Sequence, residues 1–169
     1  MARPVTLFTG QWADLTLEDV AKMAADWGYD GLELACWGDH FDPELGAKSK
    51  TYCNDRHALL EKYGLKCWSI SHHLAGQLVC DNIDARHYQF TPPGVKKDPK
   101  AARAWAVKTM KQTARAAANM NIKVVNGFTG SSIWHLLYSF PPALPGQIDA
   151  GYADFAKRWT PILDVFADK

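Results

Sequence analysis

Apolar positions along the chain fall into short unbroken runs that alternate with stretches where they recur every three or four residues, and glycine or asparagine sits at most of the joins. Residues 5–9 (VTLFT) predict a strand, with Gly10, Gln11 and Trp12 as the loop at its C-terminal end. Leu17, Val20, Ala21, Ala24 and Trp27 then share one helical face, Thr16 precedes them as a cap with Asp19 three residues on, and Gly28 stops the helix. Residues 32–37 (LELACW) are a second strand, followed by a polar loop through Pro43 and Gly46 to about Thr51. A helix from 54–56 (NDR) shows Leu59, Leu60 and Tyr63 on its apolar face and ends at Gly64. Residues 65–71 form a third strand that runs into His72 and His73.

Residues 74–98 carry no predicted element and read as a long connection. Asp98 and Pro99 then open the longest helix, in which Ala102, Trp105, Ala106, Thr109, Thr113, Ala117 and Met120 keep helical spacing as far as Asn121. Residues 122–126 are a fourth strand with a glycine-rich tip, 127–132 (GFTGSS). The last helix, about 148–167, places Tyr152, Phe155, Trp159, Ile162, Leu163 and Phe166 on one face, with Pro161 as a kink. Short turns from helix to strand and long loops from strand to helix imply parallel strands with right-handed crossovers, hence a doubly wound sheet or a (β/α)8 barrel. Earlier helices lead directly into strands and the last does not, so a further strand is expected after Lys169. With a whole barrel needing about 250 residues, residues 1–169 are expected to be a single partial domain, four parallel β/α units forming the N-terminal half of a TIM barrel.

Composition narrows the partners. Among 169 residues, 19 are Lys or Arg and 18 are Asp or Glu, a net charge of +1 with the basic positions scattered, so no electrostatic footprint for nucleic acid or an anionic membrane exists. Residues 1–4 (MARP) lead into the first strand without an apolar leader and no long apolar run follows, which points to a cytoplasmic location. Cys36, Cys53, Cys67 and Cys80 make no C-x-x-C pair and are expected to be reduced thiols in the core.

Alternation along a strand decides which polar groups can meet. In the third strand Trp68 and Ile70 are expected against helices, which turns Cys67, Ser69, Ser71 and His73 inward and places His73 rather than His72 at the mouth. The same reading sends Leu32, Leu34 and Cys36 outward and Glu33 and Trp37 inward, with Asn126 at the end of the fourth strand. Trp12, Glu33, Trp37, His73 and Asn126, joined by Trp134 in the following loop, are therefore the candidate ligand-facing residues, at the face where barrels and open α/β sheets bind ligands. Glu33 is the odd member, because a carboxylate inside an apolar strand must be paired, hydrogen-bonded or working. Plainer roles stand beside each: an ion pair with a buried Lys or Arg for Glu33, packing for the tryptophans, hydrogen-bonded support for His72 and His73, loop bracing for Asn126. The 127–132 loop could cradle phosphate, although it matches neither common phosphate motif, and His40 with Asp42 could hold a metal.

Three segments resemble a known family: 28–34 (GYDGLEL), 63–74 (YGLKCWSISHHL) and 124–131 (VVNGFTGS). They are similar to the sugar phosphate isomerase/epimerase group of the xylose isomerase-like TIM barrels, related to the family-2 AP endonucleases, and the resemblance covers nearly the whole chain. Residues 35–40 (ACWGDH) resemble the branch with α subunits of bacterial C-glycoside deglycosylases. The resemblance implies a small sugar or sugar-phosphate substrate and a divalent metal, Mn or Mg, whose Glu, Asp, His and Glu ligands sit on strands five to eight. No metal ligand or catalytic glutamate therefore carries over to this chain, which keeps Glu33, Trp37, His73 and Asn126 as its substrate-facing half. In the nuclease relatives a third-strand histidine binds metal, a second role open to His73. Two alternatives accompany the isomerase or epimerase reading: C-glycoside or 3-oxo-sugar cleavage, and a non-catalytic half-barrel that binds or dimerises. The partner on the open side would be a second copy or a C-terminal half.

Overall fold

Thr16 accepts the Asp19 amide at 3.1 Å and starts α1, Leu17–Asp26, whose Leu17, Val20, Ala21 and Ala24 are buried as their spacing requires. Ser49 does the same for α3, Lys50–Lys62, accepting the Tyr52 amide at 3.1 Å four residues before the predicted start. Between them, where a polar loop is expected, lies a short helix, α2, Pro43–Lys48, capped by the Asp42 carboxylate through the amides of Glu44 and Leu45. The computed structural model describes residues 3–169; Met1 and Ala2, where the reading of a leaderless start begins, lie outside the described residues.

These helices serve a four-stranded parallel sheet of β1, Thr6–Phe8; β2, Gly31–Ala35; β3, Lys66–Ser71; and β4, Val124–Asn126, in the order β1-β2-β3-β4. A doubly wound sheet reverses its strand order and takes helices on both faces, whereas a barrel wall adds strands in sequence and takes them on one. Here the order never reverses. Leu32, Leu34 and Ile70 join α1, α3 and the last turns of α5, Pro99–Asn119, in a single core that includes Val20, Leu60 and Ala116. The sheet, α1 to α3 and residues 112–126 form one compact unit; residues 73–111 and 127–168 form a second.

One expectation about strand parity fails. The β2 and β3 registers slip between Leu32 and Glu33, so that Leu32 pairs with Cys67 and Glu33 pairs with Ser69, leaving Trp68 as the extra residue of a bulge. Before the bulge the alternation is inverted: Cys67 packs against the helix-side core, while Trp68 is 40% exposed, its ring over Gly31. After it, Ile70 is buried on the helix side and Ser69 and Ser71 face the other way, as expected. All four cysteines are free; burial pushes the Cys67 thiol up to about 12 and that of Cys36 well above its usual range.

In the second unit, residues 74–98 are not a plain connection. They include α4, His73–Cys80, and a 3-10 turn, Ala85–Phe90. Gly76 sits where a Cβ would lie 1.9 Å from the Phe128 carbonyl oxygen, so only glycine lets α4 approach that backbone. Arg103 and Arg158 donate to the Val79 carbonyl, both at 3.2 Å, and Arg103 also reaches the Asp81 carbonyl at 2.7 Å. Two guanidinium groups thus satisfy the carbonyl end of α4 and oppose its dipole. Against α4 packs α6, Gln147–Ala167, through Phe155, Trp159, Ile162 and Phe166. Tyr152 and Leu163, expected on that face, are 68% and 54% exposed; Gly151 instead lies under Ile133. The helix continues through Pro161.

Among the described residues β1 and β4 are the outer strands, and Val5 and Val124 beside them are 59% and 48% exposed. Leu137, Tyr138 and Phe140 of the second unit are more exposed still. Unprotected strand edges and apolar side chains in water favour association. The 169-residue chain is therefore expected to self-associate in sedimentation, with the outward amides of β1 and β4 exchanging quickly when it is dilute. A monomer at all concentrations with both strands protected would contradict this.

Candidate functional site

The register slip places Glu33 on the sheet face opposite the helices, where three neutral groups meet its carboxylate. The Ser71 hydroxyl donates to Oε1, the Ser69 hydroxyl to Oε2 at 2.9 Å and the Asn126 side-chain amide to Oε2 at 2.6 Å. Among the described residues the ion pair with a buried Lys or Arg that sequence alone allows is not formed; hydroxyl and amide donors satisfy the charge instead. Asn126 also accepts the His72 amide on its own carbonyl at 2.9 Å, so it ties β4 to β3 and holds Glu33 together. Beside this cluster Thr9 accepts the Ala35 amide at 3.0 Å, fixing the tip of β1 against β2.

Trp37 follows β2 at the same end. Its ring meets Phe8 edge to face at 5.8 Å, half-buried, and lies over Gly10, so β1, β2 and the intervening tip make an apolar wall. Glu33 lies mid-way along β2, Trp37 two residues beyond its end, and Asn126 is the last residue of β4, on the far side of β3. Trp12 does not join them: it packs with Trp27 at 6.0 Å against the helix-side core. His72 is buried with its Nδ1 at 3.0 Å from the Thr113 hydroxyl on α5, the helix-side position expected for it. His73 opens α4 in the second unit, half-buried and edge-on to Phe128 at 4.7 Å. Trp134, also in the second unit, is 58% exposed and lines a cleft with Asp81, Arg86 and His87. Strand alternation puts Ser69 and Ser71 on the right face but does not name them as partners of Glu33. Asp81, in the stretch expected to be a long connection, meets His87 only once residues 81–87 have folded back.

One amide of the loop 127–132 is already taken. Asp81 accepts the Ser131 amide at 2.8 Å, and a carboxylate in that position opposes a phosphate. The metal implied by the resemblance is not matched either: among the described residues no three His, Cys, Asp or Glu side chains converge as a ligand set. Asp42 is spent as the cap of α2, and His40 is fully buried with Nε2 against the Leu15 carbonyl at 3.3 Å, so that pair forms no metal site.

The profile of the xylose isomerase-like TIM barrel matches residues 21–169. The chain belongs to this family. No curated protein matches it. Among solved structures, this xylose isomerase-like chain resembles 3-keto-D-glucoside 4-epimerase, YcjR, from E. coli, with a TM-score of 0.58 and 13% identity over 99% of this chain and 53% of that one. It also resembles D-psicose 3-epimerase from Clostridium cellulolyticum H10, solved with D-tagatose, with a TM-score of 0.52 and 12% identity over 98% of this chain and 49% of that one. At such identity the likeness concerns the fold alone. The chain spans about half the length of these structures.

Removing the Glu33 carboxylate strands the donors of Ser69, Ser71 and Asn126. Glu33→Ala is expected to cost about 1–3 kcal/mol in denaturant unfolding; an unchanged or higher stability would show that the cluster does not hold the sheet. His40 generates a second expectation. Burial lowers its pKa more than the Leu15 carbonyl and Asp39 raise it, and its Nδ1 has no partner among the described residues. The unfolded chain therefore binds this proton more readily, so stability falls as pH drops below about 6.5. His40→Gln should flatten the stability profile between about pH 7 and 5, measured by thermal unfolding, and a steeper profile in the variant would contradict the assignment.

Proposed function

We propose that the chain is the substrate-orienting, N-terminal portion of a metal-dependent sugar isomerase or epimerase that acts by proton transfer next to a carbonyl. The observation that carries this reading is the Glu33 carboxylate, held on the sheet face opposite the helices by Ser69, Ser71 and Asn126, with the paired rings of Phe8, its neighbour in register on β1, and Trp37. Three hydrogen bonds leave a carboxylate further acceptor capacity, and a sugar hydroxyl donates to it without rearrangement. The aromatic wall suits the C–H face of a sugar ring. Both solved structures named above bear the names of enzymes acting on keto sugars, in which a carbonyl stands beside a carbon-bound proton that a base can remove.

A divalent metal, Mn or Mg, polarises the oxygens of such a substrate when bound. The described residues do not fit it, so we assign neither the metal nor the proton-transferring base to this chain. Its own residues bind and orient: Glu33 accepts a hydroxyl, Asn126 keeps Glu33 in place, and Trp37 excludes water from one side of the ring. The keto-glucoside in the name of the E. coli enzyme also favours a second reading, cleavage of a C-glycoside or 3-oxo-sugar by elimination after the same proton removal. No helix among the described residues is long and apolar enough to cross a membrane.

The test is ligand-observed NMR of the chain with D-psicose. Binding is expected at roughly millimolar strength, about tenfold weaker in Asn126→Ala, and the 169-residue chain with added Mn should exchange no sugar proton with D2O. Absence of binding, or equal binding by the variant, would overturn the substrate-orienting role. Proton exchange by this chain alone would overturn the assignment of the base elsewhere.

A further inference from the structure

Of the five asparagines in the chain, at 54, 82, 119, 121 and 126, only Asn126 is followed by glycine. In such a pair the backbone nitrogen of the glycine reaches the side-chain carbonyl carbon of the asparagine, because no Cβ restricts the approach. A bond forms between the Gly127 nitrogen and Asn126 Cγ, the bond from Cγ to Nδ2 breaks, and ammonia leaves with the proton that the Gly127 nitrogen gives up. Water then opens the resulting succinimide at either carbonyl, adding its oxygen and leaving aspartate or isoaspartate. No oxidant and no cofactor is consumed.

The surroundings admit this chemistry and restrain it at one atom. Asn126 is half-buried at the end of β4, an outer strand among the described residues, and Gly127 beyond it is exposed, so water reaches the pair. Among the described residues no hydrogen bond engages the Gly127 amide. The nitrogen that would leave is the one that Glu33 holds: Asn126 Nδ2 donates to Glu33 Oε2 at 2.6 Å, while the Asn126 carbonyl accepts the His72 amide at 2.9 Å. Ammonia departs only once the bond to Glu33 has broken, and bonds to a charged acceptor are the stronger kind. The same bond makes the change consequential. A carboxylate at position 126 accepts and does not donate, and it sets a second negative charge against Glu33. Isoaspartate also lengthens the backbone at the residue that ties β4 to β3.

We propose that Asn126 and Gly127 are a self-deamidating pair that the Glu33 carboxylate holds shut, and that conversion of the pair removes the donor that closes the Glu33 cluster. The modification is spontaneous, water is its sole co-reactant, and no step requires that the Glu33 face bind a sugar.

The experiment ages the whole chain in isotope-labelled water at mildly alkaline pH, below its unfolding temperature, and follows each asparagine by peptide mass spectrometry. Asn126 should exchange its amide for a carboxyl carrying labelled oxygen, with isoaspartate among the products, before the asparagines at 54, 82, 119 and 121 react. Glu33→Ala should react at least about tenfold faster, and Glu33→Gln, which keeps a neutral acceptor, should fall between it and the wild type. Thr16→Ala weakens the cap of α1 without touching the cluster and should stay within about threefold of the wild type, which separates release of Asn126 from general loss of stability. In denaturant the wild type and Glu33→Ala should react alike, with Gly127→Ala at least about threefold slower. Asn126→Asp, which reproduces one product, should unfold at lower denaturant concentration than the wild type. An Asn126 that keeps its amide after the other asparagines have lost theirs, a rate in Glu33→Ala no higher than in the wild type or matched by Thr16→Ala, or an unchanged midpoint in Asn126→Asp would overturn the proposal.

Discussion

A carboxylate on the inner face of a parallel sheet must be met by donors, and the register slip between β2 and β3 brings them. Carried forward without the slip, the pairing of Leu32 with Cys67 would set Glu33 opposite Trp68, an indole that cannot reach both carboxylate oxygens. With one residue bulged out, Glu33 lies opposite Ser69, Ser71 comes within reach of Oε1, and Asn126 closes the cluster from β4. The same slip keeps Leu34 and Ile70 paired on the helix side, so the core and the polar face are set by one backbone event. A single added residue in β3 thus makes an apolar strand compatible with a charged one beside it.

The elements that were legible in the sequence are those whose signals are local. Thr16 caps α1, and Leu17, Val20, Ala21 and Ala24 of its expected face are buried, while Trp27 is the C-cap and 53% exposed; Gly28 and Gly64 have positive φ at the two helix ends where that conformation was expected. Parity placed Glu33, Ser69, Ser71 and Asn126 on one face because alternation after the bulge is regular. Before it, alternation misled: a bulge leaves no mark in composition, and Trp68 reads as a core residue until its register is known. α4 was missed for a related reason, since Gly76 weakens its helical pattern while serving a close approach to Phe128, a residue far away in sequence. Trp12 pairs with Trp27 rather than with a ligand; its proximity to a strand end could not show which way the ring turns. Nothing local marks the cleft, whose Asp81 and Ser131 are 50 residues apart.

Membership of the xylose isomerase-like family and a strand order that never reverses agree with one wall of a barrel. The division of labour proposed for that wall follows from its chemistry. Its polar groups are arranged to hold each other, Glu33 being met by Ser69, Ser71 and Asn126. Groups held in this way meet a partner without rearrangement.

The central claim is that the Glu33 face meets a sugar. It is tested most directly by following the side-chain amide resonances of Asn126 during titration with D-psicose, in the wild-type chain and in Glu33→Gln. The expected result is a saturable shift of the Asn126 amide in the wild type that is weakened about tenfold in the variant. An Asn126 amide that stays still while the sugar binds elsewhere on the chain would contradict the account and leave Glu33 as a brace of the sheet.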